Sequence, residues 1–140
     1  MNEDFASAAA RHYCDSELLL AKQRLDNAAY LAGYAVECGL KALILHAGGH
    51  PRAAYSHNLS ALAGKALELA VLLSPAMRRY YIDTIDEMLD ASRDWDPALR
   101  YAASGQTAPA KAKDLGRAAR MSFERILIPM ILDGRIEIPR

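Results

Sequence analysis

The stretch NAAYLAGYAVECGLKALILHAGG, residues 27–49, constrains the fold more than any other part of the chain. Ala29, Ala32, Gly33, Val36, Leu40 and Leu43 recur with the 3.6-residue period and form a narrow face of small residues, over which another backbone can come close. Tyr30, Tyr34, Glu37 and Lys41 form a second face about a quarter turn or more away, where phenolic and charged groups interleave. A helix with one core face and one polar contact face is predicted to sit at the centre of the fold. Gly48 suits its C-cap, because glycine reaches positive φ without steric cost.

The remaining pattern orders itself around that helix. A first helix is predicted from Phe5 to Leu25, with Asp26 as the N-cap of the second and a hinge tight enough to make the two antiparallel neighbours. After the loop GGHPRAAYS, Ser56 or Asn58 can cap a third helix reaching Leu73, and Ser74 before Pro75 signals a fourth running to Ser92. The segment RDWDPALRYAASGQTAP then breaks the periodicity. It reads as a connection of about a dozen residues with one short helical turn, a length often associated with function. Thr107 is the predicted cap of the last long helix, in which Leu115, Ala118, Ala119, Ser122, Ile126 and Leu127 keep helical spacing until Pro129 kinks or ends it. The chain is rich in Ala and Leu and poor in alternating β-branched runs. It is therefore predicted as all-α, an antiparallel up-and-down bundle of four to five helices in a single domain over residues 1–140, with its core at about 5–128.

Composition narrows the chemistry. Seventeen basic and seventeen acidic residues cancel, so no long-range field draws the whole molecule to nucleic acid, and any such contact has to be local. Cys14 and Cys38 lie in apolar helical stretches and are expected to be a reduced, buried pair. The N-terminus lacks the basic start and apolar run of a signal peptide, and no stretch reads as approaching the eighteen or so apolar residues of a membrane span. A cytoplasmic protein without membrane contact is the expectation. His46 and His50 straddle a double glycine, with no nearby Cys or carboxylate to complete a coordination shell, so neither metal nor cofactor is expected. There is no P-loop, no Gly-x-Ser-x-Gly elbow and no zincin motif.

Several residue groups can carry chemistry. In RAAYSHNLSAL, residues 52–62, Arg52 precedes His57 by five positions, and such a pair could hold a phosphate and move a proton. Alternatively, His57 hydrogen-bonds across the bundle and fixes its loop. Arg93, Trp95, Arg100 and Tyr101 combine guanidinium forks with stackable rings in one irregular segment, as a pocket for a base and a phosphate requires. The competing account has Trp95 plugging the open end of the bundle while Arg93 and Arg100 pair with Asp90, Asp94 or Asp96. Glu37 and Lys41 are either a surface pair at i, i+4 or part of a cleft or dimer face with Tyr30 and Tyr34. Arg78, Arg79, Tyr80 and Tyr81 read as a charged, solvated first turn beside a core tyrosine.

Taken in order, the alanine-rich second helix with Glu37 and Lys41, the glycine-rich turn, the His-x-Leu helix start at His57 and Leu59, and the Arg100–Tyr101 pair before the last helix resemble a HEPN domain (higher eukaryotes and prokaryotes nucleotide-binding). The resemblance spans about residues 5 to 128. It implies a small helical bundle, commonly a homodimer, that binds a nucleotide or RNA, and in some members acts as a ribonuclease toxin or beside a separately encoded minimal nucleotidyltransferase. The ribonuclease branch carries its arginine and histidine near the start of the last long helix. Here residues 58–140 contain no histidine, so the resemblance implies a branch without that motif, and no confident catalytic residue. Three readings follow. The first is a binding module with Arg93 and Arg100 on phosphate, Trp95 or Tyr101 on a base, and His57, Glu37 and Lys41 nearby. The second is a divergent metal-independent ribonuclease in which His57 or Tyr101 substitutes for the missing base, with Arg52 as the weak partner of His57. The third is a purely structural module without a ligand, acting through its dimer or through a nucleotidyltransferase partner; the toxin–antitoxin-like setting belongs to the first reading.

Overall fold

The computed structural model describes residues 3–73, 75–80 and 84–138, and every regular element among them is helical. In chain order these are α1 (Phe5–Ala21), α2 (Leu25–His46), a 3₁₀ turn (Pro51–Ala54), α3 (Leu59–Leu72), a second 3₁₀ turn (Pro75–Tyr80), α4 (Thr84–Ala91), a third (Pro97–Tyr101), α5 (Pro109–Ser122), a π-helical segment (Phe123–Leu127) and α6 (Ile128–Leu132). The all-α bundle expected from periodicity is the fold observed.

The second helix is central, as its two faces require. It packs against α1, α3 and α5, and Ala29, Ala32, Val36, Leu40 and Leu43 are all within 1 % of complete burial. By length and composition α2 is apolar enough to cross a membrane, which corrects the reading that no stretch approaches that limit. Most of its apolar window, 78 %, is buried inside the bundle. Its hydrophobicity is that of a core helix wrapped on several sides. At its end Gly48 adopts φ +89° directly after the capping Ala47, as predicted.

Five local expectations are corrected. The first helix stops at Ala21, and Gln23 turns the chain with φ 59°, so α2 starts at Leu25 with Arg24 at its cap position and no side-chain cap. Asp26 is already inside the helix. Its carboxylate instead accepts from the Gly105 N–H at 2.8 Å and the Thr107 N–H at 3.2 Å. Thr107 is thereby tied to Asp26, and the cap position of α5 falls to Ala108, ahead of Pro109 in the first turn. The predicted helix from Pro75 to Ser92 divides into a 3₁₀ turn and a short α4; Ser74, its predicted cap, lies outside the described residues. Side chains at i and i+3 eclipse in a 3₁₀ turn, and here that brings Met77 and Tyr80, both fully buried, onto the core together. Pro129 does not stop the last helix. The missing Pro129 N–H is accommodated by the π-helical segment just before it, and helix resumes to Leu132. Asn58 caps α3 as expected, accepting from the Ala61 N–H at 2.9 Å, while Ser56 Oγ accepts from the Asn58 N–H at 2.9 Å.

The cysteines also differ from the expectation of a buried pair: Cys38 is buried and Cys14 exposed, and both are free. Beyond α6 the chain folds back. The Tyr80 hydroxyl donates to Asp133, Arg135 Nε donates to the Tyr80 oxygen at 3.1 Å, and Arg79 pairs with Asp133 at 2.9 Å. Arg79 is thus part of a tail contact; Tyr81 lies outside the described residues.

Candidate functional site

The site begins with a buried acid on the second face of α2. Glu37 is 2 % exposed, and both of its oxygens are engaged: Lys41 Nζ lies 3.2 Å from Oε2, and His57 Nδ1 lies 2.7 Å from Oε1. Lys41, with 8 % of its side chain exposed, also has its ammonium 5.3 Å from the centre of the Phe5 ring. The alternative of a surface i, i+4 pair is therefore corrected to a buried one. Helical spacing brings the two charges together, but the packing of α1 over this face of α2 removes them from water. A buried carboxylate is tolerated when counter-charge and hydrogen bonds replace its hydration.

His57 reaches Glu37 from the loop before α3, where the Asn58 cap fixes the helix start one residue later. Its side chain keeps 57 % of its surface exposed. Because Nδ1 is held by the carboxylate, Nε2 is the ring nitrogen left for a ligand.

An aromatic cluster continues from His57 along α2. The Tyr34 ring has centroids of His57 at 6.3 Å, His12 at 5.8 Å, Tyr30 at 5.1 Å and Trp95 at 5.0 Å around it. Desolvation, with the Tyr30 hydroxyl next in importance, pushes the Tyr34 phenol up to about 12. It stays a neutral hydrogen-bonding group. Burial likewise pushes His12 below its ordinary pKa. Trp95 is 7 % exposed; its indole N–H donates to the Tyr30 carbonyl at 3.1 Å, and the ring lies against Gly33 so closely that a Cβ there would fall 2.0 Å from Nε1. The small-residue face thus admits an indole at this point, and Trp95 anchors the connecting segment to α2.

That anchor sets the positions of the other candidates. Arg93, exposed, pairs with Asp90. Arg100, also exposed, is held above its ordinary pKa chiefly by the neighbouring Tyr30 side chain, and its guanidinium lies 4.7 Å from the centre of the Tyr101 ring, itself 78 % exposed.

His57, Arg93 and Trp95 line one cleft of about 570 Å³ between the start of α3, the end of α4 and the turn after it. The same cleft is lined by Asp86, Asp90 and Asp96. Three carboxylates against one guanidinium and one imidazole make a poor trap for a bare polyanion. They suit a ligand that brings an anion for Arg93 and His57 together with hydroxyl or amine donors for the acids. Glu37 reaches the cleft only through His57, and the predicted ligand residues Lys41, Arg100 and Tyr101 are not among those lining it. Arg52 is not among the residues lining the cleft; its 3₁₀ turn is held by its own N–H donating to His50 Nδ1 at 3.1 Å. Among the described residues no group of three or more potential metal ligands occurs.

Of the residues of this region, sequence reasoning did not single out His12 and gave Asp26 another role, that of an N-cap. His12 joins the cluster from α1, and Asp26 latches the 104–107 loop. Helical spacing could reveal neither, since their contacts cross between separate elements.

The family model for the HEPN domain matches residues 3–124. No curated protein and no solved structure matches the chain.

Proposed function

The chain belongs to the HEPN domain family, and from that premise we propose that it is a non-catalytic module that binds a nucleotide or RNA in the cleft shared by His57 and Arg93. The observation carrying this reading is the exposed imidazole of His57, oriented by the buried Glu37 carboxylate at 2.7 Å and facing the same cleft as a guanidinium. His57 and Arg93 meet the phosphate, while Asp86 and Asp96 accept from ribose hydroxyls or base amines. The proposal extends to the setting: a cytoplasmic homodimer working with a separately encoded nucleotidyltransferase in a toxin–antitoxin-like pair. Calorimetric titration with AMP, ATP, GTP and a short single-stranded RNA tests the binding. Micromolar binding lost in Arg93→Ala, with the RNA left intact, supports the reading; no heat from any of the four sinks it.

The Glu37–His57 hydrogen bond also favours a second reading, a metal-independent ribonuclease. A carboxylate-oriented imidazole with Nε2 open is what a general base needs. Cleavage of end-labelled RNA that disappears in His57→Ala, in a variant that still melts cooperatively, would establish that activity.

A further inference from the structure

The inner face of α3, formed by Leu59, Leu62, Ala66 and Leu69, is buried against the bundle, yet Leu67, Val71, Leu72 and Leu73 on its outer side and at its end are exposed. Residues 67–73 thus hold four of the eight exposed large apolar side chains among the described residues. Apolar residues scattered singly over a surface need no partner, whereas a contiguous cluster marks a contact. Gly64 stands on the same outer side, about one turn before Leu67. It is exposed, its φ is not positive, and a Cβ there would meet nothing within 4 Å. Glycine inside a helix is less stable than alanine, and neither a turn nor a close neighbour within the chain requires it here.

Ser60, Gly64, Leu67 and Val71 are all exposed and are spaced by four, three and four residues, the seam along which one helix accepts another. The seam is small at its start and large at its end. A second α3 laid on it in the antiparallel sense, with a two-fold axis midway between Gly64 and Leu67, sets Leu67 of each copy over Gly64 of the other and Val71 over Ser60. A parallel pair would instead set leucine on leucine and leave glycine facing glycine across a gap. The charges agree with the antiparallel register. Lys65 and Glu68 flank the seam and pair at 3.5 Å within one helix, so the face carries no net charge to select an acidic or a basic partner. Across the two-fold, Glu68 lies level with Ala61 of the second copy, and the nearest charge is Lys65, of opposite sign.

We propose that this face binds a second copy of the chain, α3 against α3 in the antiparallel sense, with Leu67 filling the space over Gly64. A surface that matches itself under a two-fold axis is what a closed dimer requires. The proposal rests on the homodimer in the reading above, to which it assigns a face and a register, and it is independent of the ligand.

Sedimentation equilibrium of the whole protein over a range of concentrations tests the proposal. Leu67→Glu, a change on the solvent side of the single copy, should keep the helical circular-dichroism spectrum and weaken the dimer at least about a hundredfold, because two leucines leave the interface and each buried leucine is worth about tenfold. Gly64→Ala should also weaken the dimer, yet melt higher than the parent at concentrations where both are single copies. The register is read by crosslinking in a Cys14→Ser background: under oxidation, Gly64→Cys chains mixed with Leu67→Cys chains should link, and neither chain alone should. A dimer indifferent to Leu67→Glu overturns the inference and leaves the homodimer to another face, whereas a single copy at every concentration removes both. A mixture that links no faster than either chain alone overturns the antiparallel register.

Discussion

Oε1 of Glu37 lies 2.7 Å from Nδ1 of His57, joining two residues twenty positions apart, one almost wholly buried and the other more than half exposed. The acid therefore serves two purposes with its two oxygens: it neutralises a buried ammonium inward and orients an imidazole outward.

Those two purposes separate by mutation. Glu37→Ala leaves Lys41 charged and buried without its partner, and should cost about 3–5 kcal/mol, a large share of a typical domain's stability. His57→Ala opens Glu37 on a side that water can reach, and should cost less than about 1 kcal/mol. Urea denaturation of the two variants checks the order; equal losses would mean that the imidazole, and not the ammonium, stabilises the buried acid.

Gly33 faces the Trp95 ring with no room for a methyl group. Gly33→Ala should destabilise by about 1–3 kcal/mol, as overpacking does, despite alanine's better helix propensity. Trp95 is the chain's single tryptophan, so displacement of its ring should appear as red-shifted emission from the folded variant. An unshifted spectrum with unchanged stability would contradict the packing.

Hydrogen bonds from the 105–107 backbone depress the Asp26 carboxyl below its ordinary value, the Gly105 N–H contributing most. A depressed folded-state pKa stabilises above the unfolded value and loses that contribution as pH falls through the folded one. Asp26→Asn should therefore melt below the parent protein at pH 7, and the gap should close as pH drops below the ordinary carboxylate pKa of about 3.9. Melting curves from pH 7 to pH 2 give the test. A gap that persists at the acid end would assign the effect to shape rather than charge.

Burial, reinforced by Glu37, pushes the Cys38 thiol up to about 12, whereas Cys14 is exposed. Thiolate is the reactive form. A disulfide-exchange reagent at pH 8 should titrate one thiol in the native protein and two after denaturation, and alkylation mapping should place the first at Cys14.

The α2 pattern was readable because its faces follow one period within one element: the buried small residues, the Gly48 end and the all-helical class come from local spacing. The same logic predicted Asn58 as a cap and one helical turn after Trp95. It failed where a group had a choice of partners. Asp26 looks like an N-cap in sequence, but two N–H groups of a loop some eighty residues away claim its carboxylate. Pro75–Tyr80 looks like the start of an α-helix, but burying Met77 and Tyr80 together selects the tighter turn. Glu37 and Lys41 look like a surface pair, because spacing alone carries no information about what covers them.

The sequence by itself determined an all-α chain, its central helix and the residue types available for recognition, since periodicity, capping and composition act over a few residues. Only the tertiary structure decided that Glu37 is buried beneath His57 and that Trp95 is committed to Gly33 and the Tyr30 carbonyl. Those relations join residues twenty to sixty-five positions apart, and they exist only once the helices pack and desolvation fixes which polar groups must find each other.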